Sequence, residues 1–128
     1  MKKERLNKNF LDKFEEYDFS QIKENRIYLV GSIRFKDYFI EIESILQIKY
    51  KKLVSICSID GLLNKNDFSS EEWNKLQEIA IQKLHDQEAI LVLDVNDYIG
   101  DHSREEIEYF SRNLRKPIYY LLKLKKTN

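Results

Sequence analysis

Five consecutive apolar residues, Ala89-Ile90-Leu91-Val92-Leu93, limit what this chain can fold into more than any other stretch. A strand sends alternate side chains to opposite faces, so apolar residues at every position call for a sheet covered on both sides. Three weaker runs repeat the theme: Ile27-Tyr28-Leu29-Val30, Leu53-Val54-Ser55-Ile56-Cys57 and Ile118-Tyr119-Tyr120-Leu121-Leu122. The last follows Pro117, which a strand tolerates at its first residue. Helical stripes separate them: Phe35, Phe39, Ile42, Ile45 and Leu46; then Trp73, Leu76, Ala80 and Leu84; then Ile107, Phe110 and Leu114. Ser69-Ser70-Glu71-Glu72 and Ser103-Arg104-Glu105-Glu106 are both spaced as capping boxes and mark the second and third helix starts. The alternation predicts an α/β fold, a three-layer sandwich with a mainly parallel, flavodoxin- or Rossmann-like sheet.

Leu6, Phe10, Phe14 and Tyr17 predict an additional amphipathic helix within residues 1–25. Its apolar face has two candidate partners, the body of the same chain or a second subunit. The expected organisation is this N-terminal helix extension, one α/β domain over 26–124 and a solvated basic tail over 125–128.

Composition removes several functions. Lys and Arg number 22 against 22 Asp and Glu, which argues against a chain built to neutralise nucleic-acid phosphates. One cysteine and two histidines leave no disulfide and too few soft ligands for zinc, so no metal and no cofactor are expected. No apolar run nears the roughly 18 residues that span a bilayer, and a signal peptide's apolar segment is missing. The expectation is a soluble cytoplasmic protein without a membrane partner. Trp73, Cys57, His85 and Tyr119 are read as core or loop residues, because burial accounts for them.

Ligands of parallel sheets bind beyond the strands' carboxyl ends, so the turns at 31–34, 57–67 and 94–103 should share one rim. That rim carries no GxGxxG, no GxxxxGK[ST] and no GxSxG, which excludes the usual dinucleotide, NTPase and α/β-hydrolase sites. It offers Gly31-Ser32-Ile33-Arg34, a small residue, a hydroxyl and a guanidinium at a helix start, suited to an anion such as phosphate. Ser32 equally suits a helix cap, and Arg34 a surface ion pair.

The succession Tyr28 to Arg34, Tyr98 to Tyr109 and Lys116 to Leu121 resembles the nucleoside 2-deoxyribosyltransferase superfamily, near its deoxynucleoside 5′-monophosphate N-glycosidase branch. The likeness covers about residues 27–122. It implies cleavage or transfer at the N-glycosidic bond of a deoxynucleoside or its monophosphate, with Glu106 as nucleophile. By the same resemblance Gly100 and Ser103 contact sugar or phosphate, and Tyr28, Gly31 and Ser32 line the opposite wall. The resemblance further implies that Arg34 holds a 5′-phosphate, that His102 adjoins the pocket, and that the protein is a homo-oligomer. A carboxylate at a helix start is favoured in its ionised form, the form a nucleophile needs.

This sequence departs from the family's pattern at several positions. Ala80 stands where relatives commonly place a second acid, leaving Glu78 and Asp86 as substitutes. Phe110 replaces a small residue, Leu114-Arg115 replace a helix-ending glycine, and Lys126-Thr127-Asn128 lacks the transferases' Asn-aromatic tail. Two other functions stay open beside the enzyme: a nucleotide-binding module without chemistry, and a scaffold acting through the N-terminal helix. Within the site, Glu106 has a competing structural use as the acidic half of a capping box.

Overall fold

The structure, a computed structural model, describes residues 3–56 and 65–126. Four strands, β1 (Arg26–Val30), β2 (Leu53–Ile56), β3 (Ala89–Val92) and β4 (Ile118–Tyr120), form one all-parallel sheet in the order β2-β1-β3-β4. The helices are α1 (Lys8–Asp12), α2 (Lys36–Ile48), α3 (Ser70–His85) and α4 (Asp101–Tyr109), the last continuing into a π-helical turn, Phe110–Leu114. Parallel neighbours cannot be joined by a hairpin, so α2, α3 and α4 each run back against the strands. Their heads therefore gather at the sheet's carboxyl edge and their tails at its amino edge.

Strand alternation sorts the core into two clusters. Ile27, Leu29, Ala89, Leu91 and Leu93 bury with Phe39, Ile42, Ile45 and Leu46 of α2. Tyr28, Val30, Ile90 and Val92 bury with Leu84 of α3 and with Phe110. Every residue of β3 is fully buried, as its unbroken apolar run requires. At the amino edge Glu88 accepts from the Arg26 amide at 2.9 Å, and the Lys116 ammonium donates to the carbonyls of His85 and Gln87 at 3.0 and 2.7 Å. Lys116 thus satisfies carbonyls that the end of α3 leaves without amide partners.

The long helix expected within 1–25 is not formed: α1 has five residues, followed by turns and a 3-10 segment at Phe19–Gln21. Phe10, Phe14, Phe19 and Ile22 all bury in the α2-side cluster, so this is core rather than an extension. The physical reason is that the apolar positions continue past Tyr17 at 19 and 22, off a single helical stripe, while the Asp18 carboxylate caps the Ser20 amide. In the described part of the basic tail the Lys125 and Lys126 side chains are exposed, while the backbone is paired. Tyr17 and Lys125 form an antiparallel bridge, the Asp18 amide donates to the Leu124 carbonyl and the Lys126 amide to Glu16, both at 2.7 Å. Burial and the neighbouring Glu16 push the Tyr17 phenol up to about 12. Strand β4 stops at Tyr120, two residues early, because the buried Asp94 carboxylate takes the Leu122 amide at 3.0 Å and turns the chain into a 3-10 segment, Leu121–Leu124. Among the described residues no helix is long and apolar enough to cross a membrane.

Candidate functional site

Neighbouring strands β1 and β3 send their crossover helices to opposite faces, α2 to one and α4 to the other, which opens a crevice at their carboxyl ends. The Leu93 amide donates to the Val30 carbonyl at 2.7 Å, holding the two strand ends together. Gly31 permits this approach, since a Cβ there would meet Leu93 Cβ and Phe39 Cζ at 3.2 Å each. Its missing side chain therefore makes room for the α2-side core. Ser32 Oγ accepts from the Arg34 amide at 3.2 Å, a local turn, and the Arg34 guanidinium stacks 4.4 Å above the Tyr98 ring. Phe35 meets the same ring edge-on at 6.1 Å. The turns carrying Arg34 and Gly100 thus share one rim. The third expected turn, at 57–67, lies mostly outside the described residues, with Cys57 and Gly61; so does the side chain of His102.

The head of α4 departs from its expected form. Gly100 is the N-cap, so the helix begins three residues before the sequence spacing predicts. Ser103 sits within the first turn at 4 % exposure and Glu106 in the second at 8 %, and neither belongs to a capping box. Gly100 takes the N-cap position in an extended conformation, without a side-chain cap bond, just ahead of Asp101, an acidic residue suited to a first turn. The capping use of Glu106 is thereby removed, and so is the expectation that it stands at the helix terminus. Ser103 and Glu106, three apart, share one side of α4.

Glu106 lines a cavity of about 50 Å³ between the two helices on this face, with Gln77, Ala80 and Ile81 of α3 and Glu105 and Tyr109 of α4. The volume suits water or a methyl-sized group, and falls short of the roughly 300 Å³ at which small-molecule pockets begin. Tyr28 is fully buried in the cluster beneath the same two helices. The Tyr109 hydroxyl lies 2.7 Å from His85 Nε2, tying the tail of α3 to the wall of the cavity. Tyr109 and Gln77 escaped the sequence reading. Their signal was helical spacing alone, three residues after Glu106 and three before Ala80.

Of the proposed substitutes for the second acid, Asp86 caps the tail of α3 at the amino edge, one sheet length from the rim, and does not reach the site. Glu78 is exposed and takes no part in lining the cavity, whereas Ala80 does. Phe110 is fully buried among the sheet residues. Arg115 adopts the left-handed conformation (φ 52°) that a helix-ending glycine takes readily. Among the described residues no cluster of three or more His, Cys, Asp or Glu side chains is arranged to hold a metal ion. Comparison with known proteins finds no matching family model, no matching curated protein and no matching solved structure.

Proposed function

We propose that the protein cleaves or transfers the N-glycosidic bond of deoxynucleosides or their 5′-monophosphates, with Glu106 as nucleophile. One observation carries this reading: a carboxylate that takes no part in capping its helix is buried on α4 and lines a small cavity between α3 and α4. In the reaction, Glu106 attacks the anomeric carbon and the bond to the base nitrogen breaks. The electron pair leaves with the base, which takes a proton from water because Ala80 offers none. Water then opens the glycosyl ester in hydrolysis, or a second base does so in transfer. Arg34 and the amides at the head of α4 hold the 5′-phosphate, the guanidinium leaving its stack on Tyr98 to do so. The two-sided covering of the sheet supports the three-layer, flavodoxin-like arrangement, and the resemblance supports a cytoplasmic homo-oligomer, which light scattering checks directly; a monomer at all concentrations would remove that part.

Incubation with the four deoxynucleoside monophosphates, with released base followed by chromatography, tests the chemistry. Base release that disappears in Glu106→Gln is the expected result; equal turnover by both proteins would remove Glu106 from the mechanism. A second reading, a nucleotide-binding module without chemistry, is favoured by Ala80, which leaves no second acid from α3 beside Glu106. It predicts stabilisation of the fold by about 2.7 kcal/mol at 100 times the Kd with no base released.

A further inference from the structure

We infer that the amino edge of the sheet is a docking surface for an anionic lipid bilayer. The inference stands apart from the catalytic reading, whose residues gather toward the opposite edge. The four turns that lead into the strands, at 23–26, 49–52, 83–88 and 112–117, carry nine Lys and Arg against three acids, Glu24, Asp86 and Glu88. Neighbouring strands stand about 4.8 Å apart, so these turns form a band roughly 15 Å across. Two of the acids serve the protein's own donors: Glu24 accepts from the Tyr119 hydroxyl at 2.7 Å, and Glu88 from the Arg26 amide at 2.9 Å. Arg112 is paired with Glu108 at 2.9 Å, and Lys49 shares a cleft with Asp12, Glu15 and Asp18, so neither belongs to the surface. Lys52 and Lys116 donate to backbone carbonyls and keep their charge. Arg26, Lys51 and Arg115 are exposed and enter no ion pair among the described residues.

Backbone geometry sets two of these cations apart. Among the described residues the left-handed conformation is held, glycine aside, by Lys51, Asn96, Asp97 and Arg115. Asparagine and aspartate tolerate it, whereas lysine and arginine adopt it at a cost that glycine would avoid. Both cations stand where the chain leaves a helix for an edge turn, Lys51 after α2 and Arg115 after the turn that continues α4. The fold thus keeps charge at two places where it would be more stable without it, as sites held for binding do. Ile48 and Leu53, 58 % and 60 % exposed, are the most exposed large apolar side chains among the described residues, and they flank the Lys49–Lys52 turn. A chain of phosphates offers them nothing, but a bilayer offers acyl chains beneath its anionic headgroups. The chain as a whole has no net charge, so the balancing acids lie elsewhere and this edge is the part an anionic surface attracts. The absence of a spanning helix among the described residues bears on crossing a bilayer, not on resting against one. Docked by this edge, the molecule turns its Arg34 and Gly100 turns away from the lipid.

Vesicle flotation tests the assignment. The protein is expected to float with phosphatidylcholine vesicles that contain phosphatidylserine, to stay behind with phosphatidylcholine alone, and to be released as salt is raised. Lys51→Gly and Arg115→Gly should each weaken binding about fivefold, and together about 25-fold, while raising the urea midpoint of unfolding. Weaker binding by a more stable variant cannot come from damage to the fold. Ile48→Ser combined with Leu53→Thr should abolish whatever binding survives raised salt. Equal binding to the two kinds of vesicle, no binding at low salt, or full binding by the double glycine variant would overturn the inference. Binding to DNA oligonucleotides with none to vesicles would overturn it too, and would make the edge a surface for polyanions in general.

Discussion

Helices α3 and α4 open with the same four-residue pattern, serine followed three residues later by glutamate, and use it in opposite ways. At Ser69–Glu72 the box closes: the Ser69 hydroxyl takes the Glu72 amide and the Glu72 carboxylate takes the Ser69 amide at 2.8 Å. At Ser103–Glu106 the helix has already begun three residues upstream, after Gly100, and both side chains are carried inside. One glutamate is spent in solvent on holding a helix end, and the other is buried against a small cavity between α3 and α4. The lesson is that a local spacing states what two residues can do for each other, and the residue upstream decides whether they need to.

The strongest test of this contrast is chemical. Glu106→Gln should lower base release by about 10³-fold or more, while Glu72→Gln leaves it untouched; parallel loss in both variants would mean that fold damage, not chemistry, is being read. On stability the order reverses. Ser69→Ala should cost about 1 kcal/mol in urea denaturation, and Ser103→Ala less than about 0.5 kcal/mol, because only the first is a cap. The far ends of the two helices differ as well. Lys116 caps the tail of α3, but α4 ends with Arg115 in a conformation unfavourable to a side chain, so Arg115→Gly should raise stability by about 0.5–1 kcal/mol.

The smallest effect is in acid. The Ser69 amide holds the Glu72 carboxyl below the usual range, so the native state binds its proton less readily than the unfolded chain. Its contribution is complete above the ordinary glutamate pKa of about 4.3 and is lost as pH falls through the lower native value. Glu72→Gln should flatten the stability profile in that window, as measured by denaturation at successive pH values. A profile unchanged by the substitution would deny the box any energetic role.

Where the sequence was legible, the reason is apolar patterning: β1 and β3 are buried on both faces, and β2, α2 and α3 follow from apolar residues at strand or helix spacing, although Leu53 of β2 is exposed. It was misleading where two local solutions compete. Leu6, Phe10, Phe14 and Tyr17 do share a helical spacing, yet Phe19 and Ile22 need the same core and cannot reach it from one straight helix. The rim residues Ser32, Arg34, Gly100 and Ser103 could be placed from strand ends alone. The cavity could not, because it arises from the closeness of α3 to α4, which no local pattern encodes. Asp86 illustrates the same limit: it lies near Ala80 in the sequence, but the helix has carried it to the opposite edge.

The seam of Tyr17 against Lys125 bears on how the molecule is made. Synthesis on the ribosome delivers Phe14 and Phe19 early, but the strand-like stretch that locks this part of the chain emerges only about a hundred residues later. The aromatic residues around Tyr17 therefore cannot be fixed by this contact until residues more than a hundred positions further along have been made.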